Sequence, residues 1–102
     1  MKLQIGGKDY RIKSGEKEVL DYFGVYGFYD EYNQAIYISD DLSEDHYLET
    51  LLHEILHAVH REYAINLDKE TEEQVILATS KGLRAIIKNH DRETIESILY
   101  GD

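Results

Sequence analysis

One short segment of this 102-residue chain combines residue types and a spacing suited to metal chemistry. His53, Glu54 and His57 form an H-E-x-x-H pattern. On a helix, at about 100° per residue, His57 lies about 40° round the axis from His53 and one turn further along, so both imidazoles can reach one metal ion. Glu54 points about 100° away from His53, where it can accept a proton from a water whose pKa a zinc ion lowers to about 7. This arrangement suits metal-assisted hydrolysis of a peptide bond.

The residues around the motif have the period of an amphipathic helix. Ser43 can cap its N-terminus, and Glu44 and Asp45 follow in the first turn, where the helix dipole favours acids. Apolar residues then recur at helical spacing along one face: Leu48, Leu52, Ile55, Leu56, Val59 and Tyr63. Both motif histidines flank this stripe, so we expect them in a partly buried seam against a neighbouring element.

A zinc ion at this motif requires a third protein ligand. The metzincin extension would need Gly at position 60 and His at position 63, where this chain has His60 and Tyr63. His60 could also be an adventitious ligand, but a solvated or hydrogen-bonded side chain accounts for it more simply. His46 lies two turns from His53, too far for the same metal ion. The third ligand must therefore come from another element.

The third ligand is expected from a second helix that begins near Asp68. If the first helix ends near position 63, His57 lies about 9 Å below the turn and Glu73 about 7 Å into the returning helix, at similar heights in an αα-hairpin. The candidates are Glu70, Glu72 and Glu73. We favour Glu73, at the edge of its helix's apolar stripe, over Glu72 at the centre, with Glu70 third.

The rest of the chain predicts an α+β fold in a single domain, residues 1–102. Residues 3–5 and 10–12 alternate like strands around a turn at 6–9, and residues 25–29 and 35–38 form a second pair. Residues 13–22 fit either a loop or a short helix. The second helix should bury apolar residues along its length, and a short last helix capped by Asp91 should follow. These apolar residues are Val75, Ile76, Leu83, Ile86 and Ile87 in the second helix and Ile95, Ile98 and Leu99 in the last. The prediction is a small antiparallel β-sheet followed by an αα-hairpin and a short C-terminal helix.

The strand at residues 36–38 is the last before the motif helix. If it is a sheet edge, an extended peptide could add to it by main-chain hydrogen bonds and lie across the metal site.

Composition narrows the class of partner. Eleven basic against 21 acidic residues give a formal net charge of −10, which disfavours nucleic acid and anionic membrane surfaces as partners. There is no cysteine, so any metal must be held by His and carboxylate ligands. No apolar run approaches the ~18 residues of a membrane span, and the first residues lack the apolar stretch of a signal peptide. We therefore expect a cytoplasmic protein.

The chain resembles the small phage-type zinc metallopeptidases, which are related in motif to the ImmA/IrrE peptidases and more loosely to the gluzincins. The resemblance covers residues 27 to about 90. It rests on Gly-Phe-Tyr-Asp-Glu-Tyr at 27–32, Ile-Tyr-Ile at 36–38, Thr-Leu-Leu-His-Glu-Ile-Leu-His-Ala-Val at 50–59, and then on Glu73, Ile76, Thr79 and Gly82-Leu83. No Asp follows Glu73 by four residues, where thermolysin-like enzymes have one to orient a ligand histidine.

The resemblance implies that His53, His57 and Glu73 bind Zn²⁺, that Glu54 is the general base and that the strand at 36–38 borders the cleft. It implies a zinc-dependent peptidase of the bacterial or phage-infected cytoplasm that acts on a protein or peptide. One alternative is a non-catalytic, zinc-stabilised protein-interaction module such as a phage regulator. Another is a metal-free acidic binding domain. An unliganded Glu54 favours the enzyme, because a structural zinc site has no use for one.

Overall fold

Among the described residues, four strands are followed by three helices. The computed structural model describes residues 1–15, 20–21 and 24–101. The elements are β1 (Lys2–Ile5), β2 (Lys8–Gly15), β3 (Gly27–Asp30), β4 (Ala35–Ser39), α1 (Glu44–Glu62), α2 (Lys69–Asn89) and α3 (Arg92–Tyr100). The α+β class, both hairpins and all three helices are as predicted. The prediction of a loop or a short helix at residues 13–22 is wrong for residues 13–15, which belong to β2. Residues 20 and 21 are helical, and residues 16–19 and 22 lie outside the described residues.

The sheet is mixed, not wholly antiparallel as predicted. Its strand order is β1-β2-β4-β3. Both hairpin pairs are antiparallel, but β2 and β4 run parallel, from Arg11 opposite Ala35 to Gly15 opposite Ser39. Four of the five residues of β4 are buried. Because β4 is apolar and buried, it is favoured at the centre of the sheet, and the more exposed β3 lies at the edge.

The central position of β4 overturns one prediction. Because β4 pairs with β2 on one side and with β3 on the other, it has no free edge to which an extended peptide could add. The sheet edges are β1 and β3, and β3 lies against α1.

The β1–β2 hairpin fixes the C-terminal end of α1. Gly6, at φ +60°, lets the turn approach so closely that a Cβ there would lie 2.6 Å from Cβ of Glu62. Tyr10 Oη donates a 2.6 Å hydrogen bond to Glu62 Oε1. Burial and this hydrogen bond raise the pKa of Tyr10. Tyr10 also packs with Ile5 and Ala58 in a buried cluster, which anchors α1 on the sheet.

Ser43 and Asp91 cap their helices as predicted, and Asp68, near which the second helix was expected to begin, caps that helix. Ser43 Oγ accepts from the N–H of His46 at 3.2 Å, Asp68 from Thr71 at 2.9 Å, and Asp91 caps α3 in the same way. α2 returns antiparallel to α1. Two ion pairs join the start of α1 to the end of α2, Glu49 with Arg84 at 3.1 Å and Asp45 with Lys88.

The predicted burial of α2 is correct only in part. Ile76 and Ser80 are fully buried. They lie four residues apart on the side of α2 that faces α1. The other predicted core residues of α2 are exposed: Val75, Leu83, Ile86 and Ile87. Ile98 and Leu99 of α3 are exposed as well. Within the described residues no further layer covers these helices, and none of the helices has the length and apolar character to span a membrane.

Candidate metal and catalytic site

α1 presents both motif histidines on one side, one turn apart. The imidazole rings of His53 and His57 have centroids 5.0 Å apart, and their side chains are 23% and 17% exposed. Burial, followed by the charge of His57, lowers the pKa of His53. A lowered pKa favours the neutral imidazole, which is the form that binds a metal ion.

Glu73 of α2 brings a carboxylate between the two histidines. Its Oε1 lies 2.9 Å from Nε2 of His57, and its Oε2 lies 3.4 Å from Nε2 of His53. One donor atom from each residue lies within 4.8 Å of the other two, and no other such group of three is found among the described residues. Two imidazole nitrogens and one carboxylate oxygen are ligands that suit zinc in a catalytic site. The chemistry and spacing of these donors therefore fit the ion, and the matched heights predicted for His57 and Glu73 are confirmed.

Glu72 contacts the ring of His57 at a different nitrogen from Glu73. Its Oε2 lies 3.2 Å from Nδ1 of His57, on the opposite side of the ring from Glu73, and its Oε1 lies 3.5 Å from Nδ1 of His60. Glu72 can therefore fix the orientation of His57 while leaving Nε2 free for a metal ion. This contact was missed in the sequence, where Glu72 was considered only as an alternative to Glu73.

The remaining candidates lie outside the group of three donors. His60 is buried against Glu72, and the ring of His46 stacks edge-on against Tyr26 with centroids 4.4 Å apart. Glu70 is exposed in the first turn of α2. Of the carboxylates considered for a third ligand, the structure brings Glu73 into contact with both motif histidines.

Glu54 lies beside the group of donors without belonging to it. Its side chain faces β3, where Gly27 makes room for it. A Cβ at Gly27 would lie 2.7 Å from Cγ2 of Thr50 and 3.2 Å from Cγ of Glu54. Burial raises the pKa of Glu54 to about 7, while the charge of His57 and a backbone hydrogen bond from Tyr29 oppose that rise. A carboxylate with such a pKa can exchange protons near neutrality, as a general base requires.

A cavity opens next to Glu54 and His53. Its volume is about 290 Å³. Val25 and Tyr26 line it ahead of β3, and Leu77 lines it from α2. It lies beside His53 and Glu54, and part of its wall is apolar.

The burial of Glu54 predicts a pH-dependent stability in chelator-treated, zinc-free protein. The raised pKa means that Glu54 holds its proton more tightly in the folded state than in the unfolded chain. The folded protein is therefore destabilised as pH rises from about 4.5 through 7. Replacing Glu54 with Gln removes this loss. The free energy of unfolding of Glu54→Gln should therefore equal that of wild type near pH 4.5 and exceed it by about 3 kcal/mol near pH 8. Urea unfolding at both pH values measures the difference. Exposed Glu44→Gln is the control, and a difference independent of pH would contradict the assignment.

Comparison with known proteins assigns the family. The family model for the IrrE N-terminal-like domain, Peptidase M78, matches residues 9–80. The match includes β3, β4, α1 and the part of α2 that carries Glu73. No curated protein and no solved structure matches the chain. Since the family model covers more than half of the chain and includes the H-E-x-x-H helix, the chain belongs to the Peptidase M78 family, with an IrrE N-terminal-like domain.

Proposed function

We propose that this protein is a zinc-dependent peptidase in which His53, His57 and Glu73 hold the metal ion and Glu54 is the general base. The observation that carries the proposal is the position of Glu54, which is largely buried beside the three donors without being one of them. Burying a carboxylate costs free energy. A zinc site that only stabilised the fold would gain nothing from that cost, whereas a hydrolytic site uses the group.

The residues divide the chemistry among them. A zinc ion, when bound, supplies a Lewis acid that polarises the scissile carbonyl and lowers the pKa of water. Glu54 takes a proton from the attacking water and delivers it to the leaving amine. Glu72 holds the His57 ring through Nδ1, so that Nε2 keeps its direction. The cavity beside His53 and Glu54 accepts a side chain of the peptide, and its apolar wall at Val25 and Leu77 favours an apolar one.

Peptide cleavage tests this function. The zinc-loaded protein is incubated with a degenerate peptide mixture, and new N-termini are identified by mass spectrometry. Cleavage that stops on addition of a chelator and resumes on addition of zinc supports the proposal. Cleavage that persists in the presence of the chelator would contradict it.

The ligand set predicts an order of zinc affinities among three variants of α2. Glu73→Gln should weaken zinc binding by more than about 100-fold, because it replaces a charged ligand. Glu72→Gln should weaken it by about 10- to 100-fold, because it alters only the group that orients His57. Glu70→Gln, one turn earlier on the same helix, should leave affinity unchanged. Competition with a chromophoric chelator measures all three. A larger loss for Glu72→Gln than for Glu73→Gln would show that the ligand is Glu72.

A further inference from the structure

His60 is a buried histidine of α1 that lies outside the three metal donors. Its side chain is 8% exposed. Its Nδ1 is shielded from solvent and makes no hydrogen bond in the described structure. A buried polar atom without a partner costs free energy, so such atoms are rare in folded proteins. The group that faces this nitrogen is the carboxylate of Glu72, whose Oε1 lies 3.5 Å away.

Glu72 spans two histidines of α1. Its Oε2 lies 3.2 Å from Nδ1 of His57, and its Oε1 faces Nδ1 of His60. His57 and His60 are three residues apart, so their side chains are neighbours on one face of the helix. An ionised carboxylate accepts hydrogen bonds and donates none, so each ring nitrogen that faces it is favoured with its proton. Each oxygen of Glu72 therefore has one N–H donor available to it.

We propose that His60 is a positioning residue, which holds the carboxylate of Glu72 and, through it, the ring of His57. The inference rests on the metal site of the proposed function. The separation of 3.5 Å needs to shorten by only about 0.5 Å to reach an ordinary N–H···O distance. The two oxygens of Glu72 then accept one hydrogen bond each, from different rings.

Glu72 requires a second contact because its surroundings leave it room to move. Its side chain is 27% exposed, and a cavity of about 430 Å³ lies against Glu72, His57 and His60. A carboxylate that turned into this cavity would leave Nδ1 of His57 without an acceptor. Nε2 of His57, which lies 2.9 Å from Oε1 of Glu73, would then lose its fixed direction. The contact with His60 opposes that movement.

Two replacements of His60 test this role through zinc affinity. His60→Leu should weaken zinc binding by about 10-fold, the lower end of the usual effect of a group that orients a metal ligand, because His60 acts at one remove through Glu72. His60→Asn should retain most of the wild-type affinity, since its amide offers an N–H near the position of Nδ1. Competition with a chromophoric chelator measures both. Equal losses in the two variants would overturn the proposal, because the loss would not follow the hydrogen-bond donor.

A double variant tests whether His60 acts through Glu72. In the Glu72→Gln background, adding His60→Leu should lower zinc affinity by less than about twofold, because the carboxylate that His60 holds is already gone. A further loss as large as the one in the wild-type background would show that the two residues act independently. The proposal would then be wrong.

The protonation of the ring gives a readout that does not depend on affinity. Two-bond ¹H–¹⁵N correlation spectra of the zinc-loaded protein distinguish a protonated ring nitrogen from an unprotonated one. We expect a proton on Nδ1 of His60, where it can be donated to Glu72. An unprotonated Nδ1 at His60 would contradict the proposal.

A matched control separates this role from a general loosening of α1. Tyr10→Phe removes another hydrogen bond at the same end of the helix, the 2.6 Å bond to Glu62, and should bind zinc as wild type does. Circular dichroism verifies that each variant is folded. A loss in Tyr10→Phe as large as in His60→Leu would overturn the role of His60. Equal zinc affinity in wild type and His60→Leu would overturn it too while leaving the metal site in place, whereas a wild type that binds no zinc would refute the metal site as well.

Discussion

Replacing Glu54 with Gln is expected to slow peptide hydrolysis by about 10²- to 10⁴-fold, the usual contribution of a general base, while zinc content stays at the wild-type level. Gln keeps the size of the side chain and its place beside Gly27, but it cannot accept the proton of the attacking water. Since Glu54 is not one of the three donors, the loss should appear in the rate and not in the affinity for zinc.

The experiment compares initial rates on a peptide found in the degenerate mixture, for protein of measured zinc content. Glu44→Gln, in the first turn of the same helix, is the matched control and should retain the wild-type rate. If the zinc-loaded wild type and Glu54→Gln give the same products at the same rate, Glu54 is not the base. The non-catalytic, zinc-stabilised interaction module would then be the better interpretation.

Removing His53 is expected to abolish stoichiometric zinc binding. The wild-type chain should hold about one zinc ion, whereas His53→Ala retains only two of the three protein ligands that a catalytic zinc site requires. Because the donors come from two helices, a zinc ion held by them would link α1 to α2. Added zinc should therefore raise the melting temperature of wild type and leave that of His53→Ala unchanged.

Elemental mass spectrometry on protein purified without chelator gives the metal content. Thermal unfolding with and without zinc gives the effect of zinc on the melting temperature. His46→Ala is the matched control, because it removes a histidine two turns earlier on α1 whose ring packs against Tyr26. It should bind zinc as wild type does. Stoichiometric zinc in His53→Ala, or none in wild type after dialysis against zinc, would refute the site.

The features that the sequence determined by itself depend on groups close together in the chain. Ser43 and Asp91 predict helix starts because a capping side chain bonds a backbone N–H only three residues on. The spacing of His53 and His57 fixes their shared side once α1 is a helix. Counting residues from the turn is enough to bring Glu73 to the height of His57, since the rise per residue of a helix is constant.

Tertiary structure alone decided how these elements combine. Residues 72 and 73 differ by about 100° in direction, so the choice between them depends on the rotation of α2 about its axis. Ile76 and Ser80 set that rotation by packing on α1, which turns Glu73 toward Nε2 of His57 and Glu72 toward Nδ1. The apolar stripe of α2 favours Glu73, but most of that stripe is exposed, so the packing of Ile76 and Ser80 decides the rotation.

The distinction between local spacing and long-range packing also explains the pairing of the strands and the exposure of apolar residues in α2. Alternating apolar residues and turn residues predict the two hairpins. Which strands join the hairpins depends on burial across the whole sheet, so the parallel pairing of β2 with β4 was not predicted. The helical period predicts that Leu83, Ile86 and Ile87 pack against something, and only the tertiary structure shows that α1 does not cover them. The pKa of Glu54 follows from the approach of β3 to α1 at Gly27, a long-range contact that the spacing of the motif does not contain. Sequence spacing thus determined which residues can meet, and packing decided their orientation, their burial and their protonation.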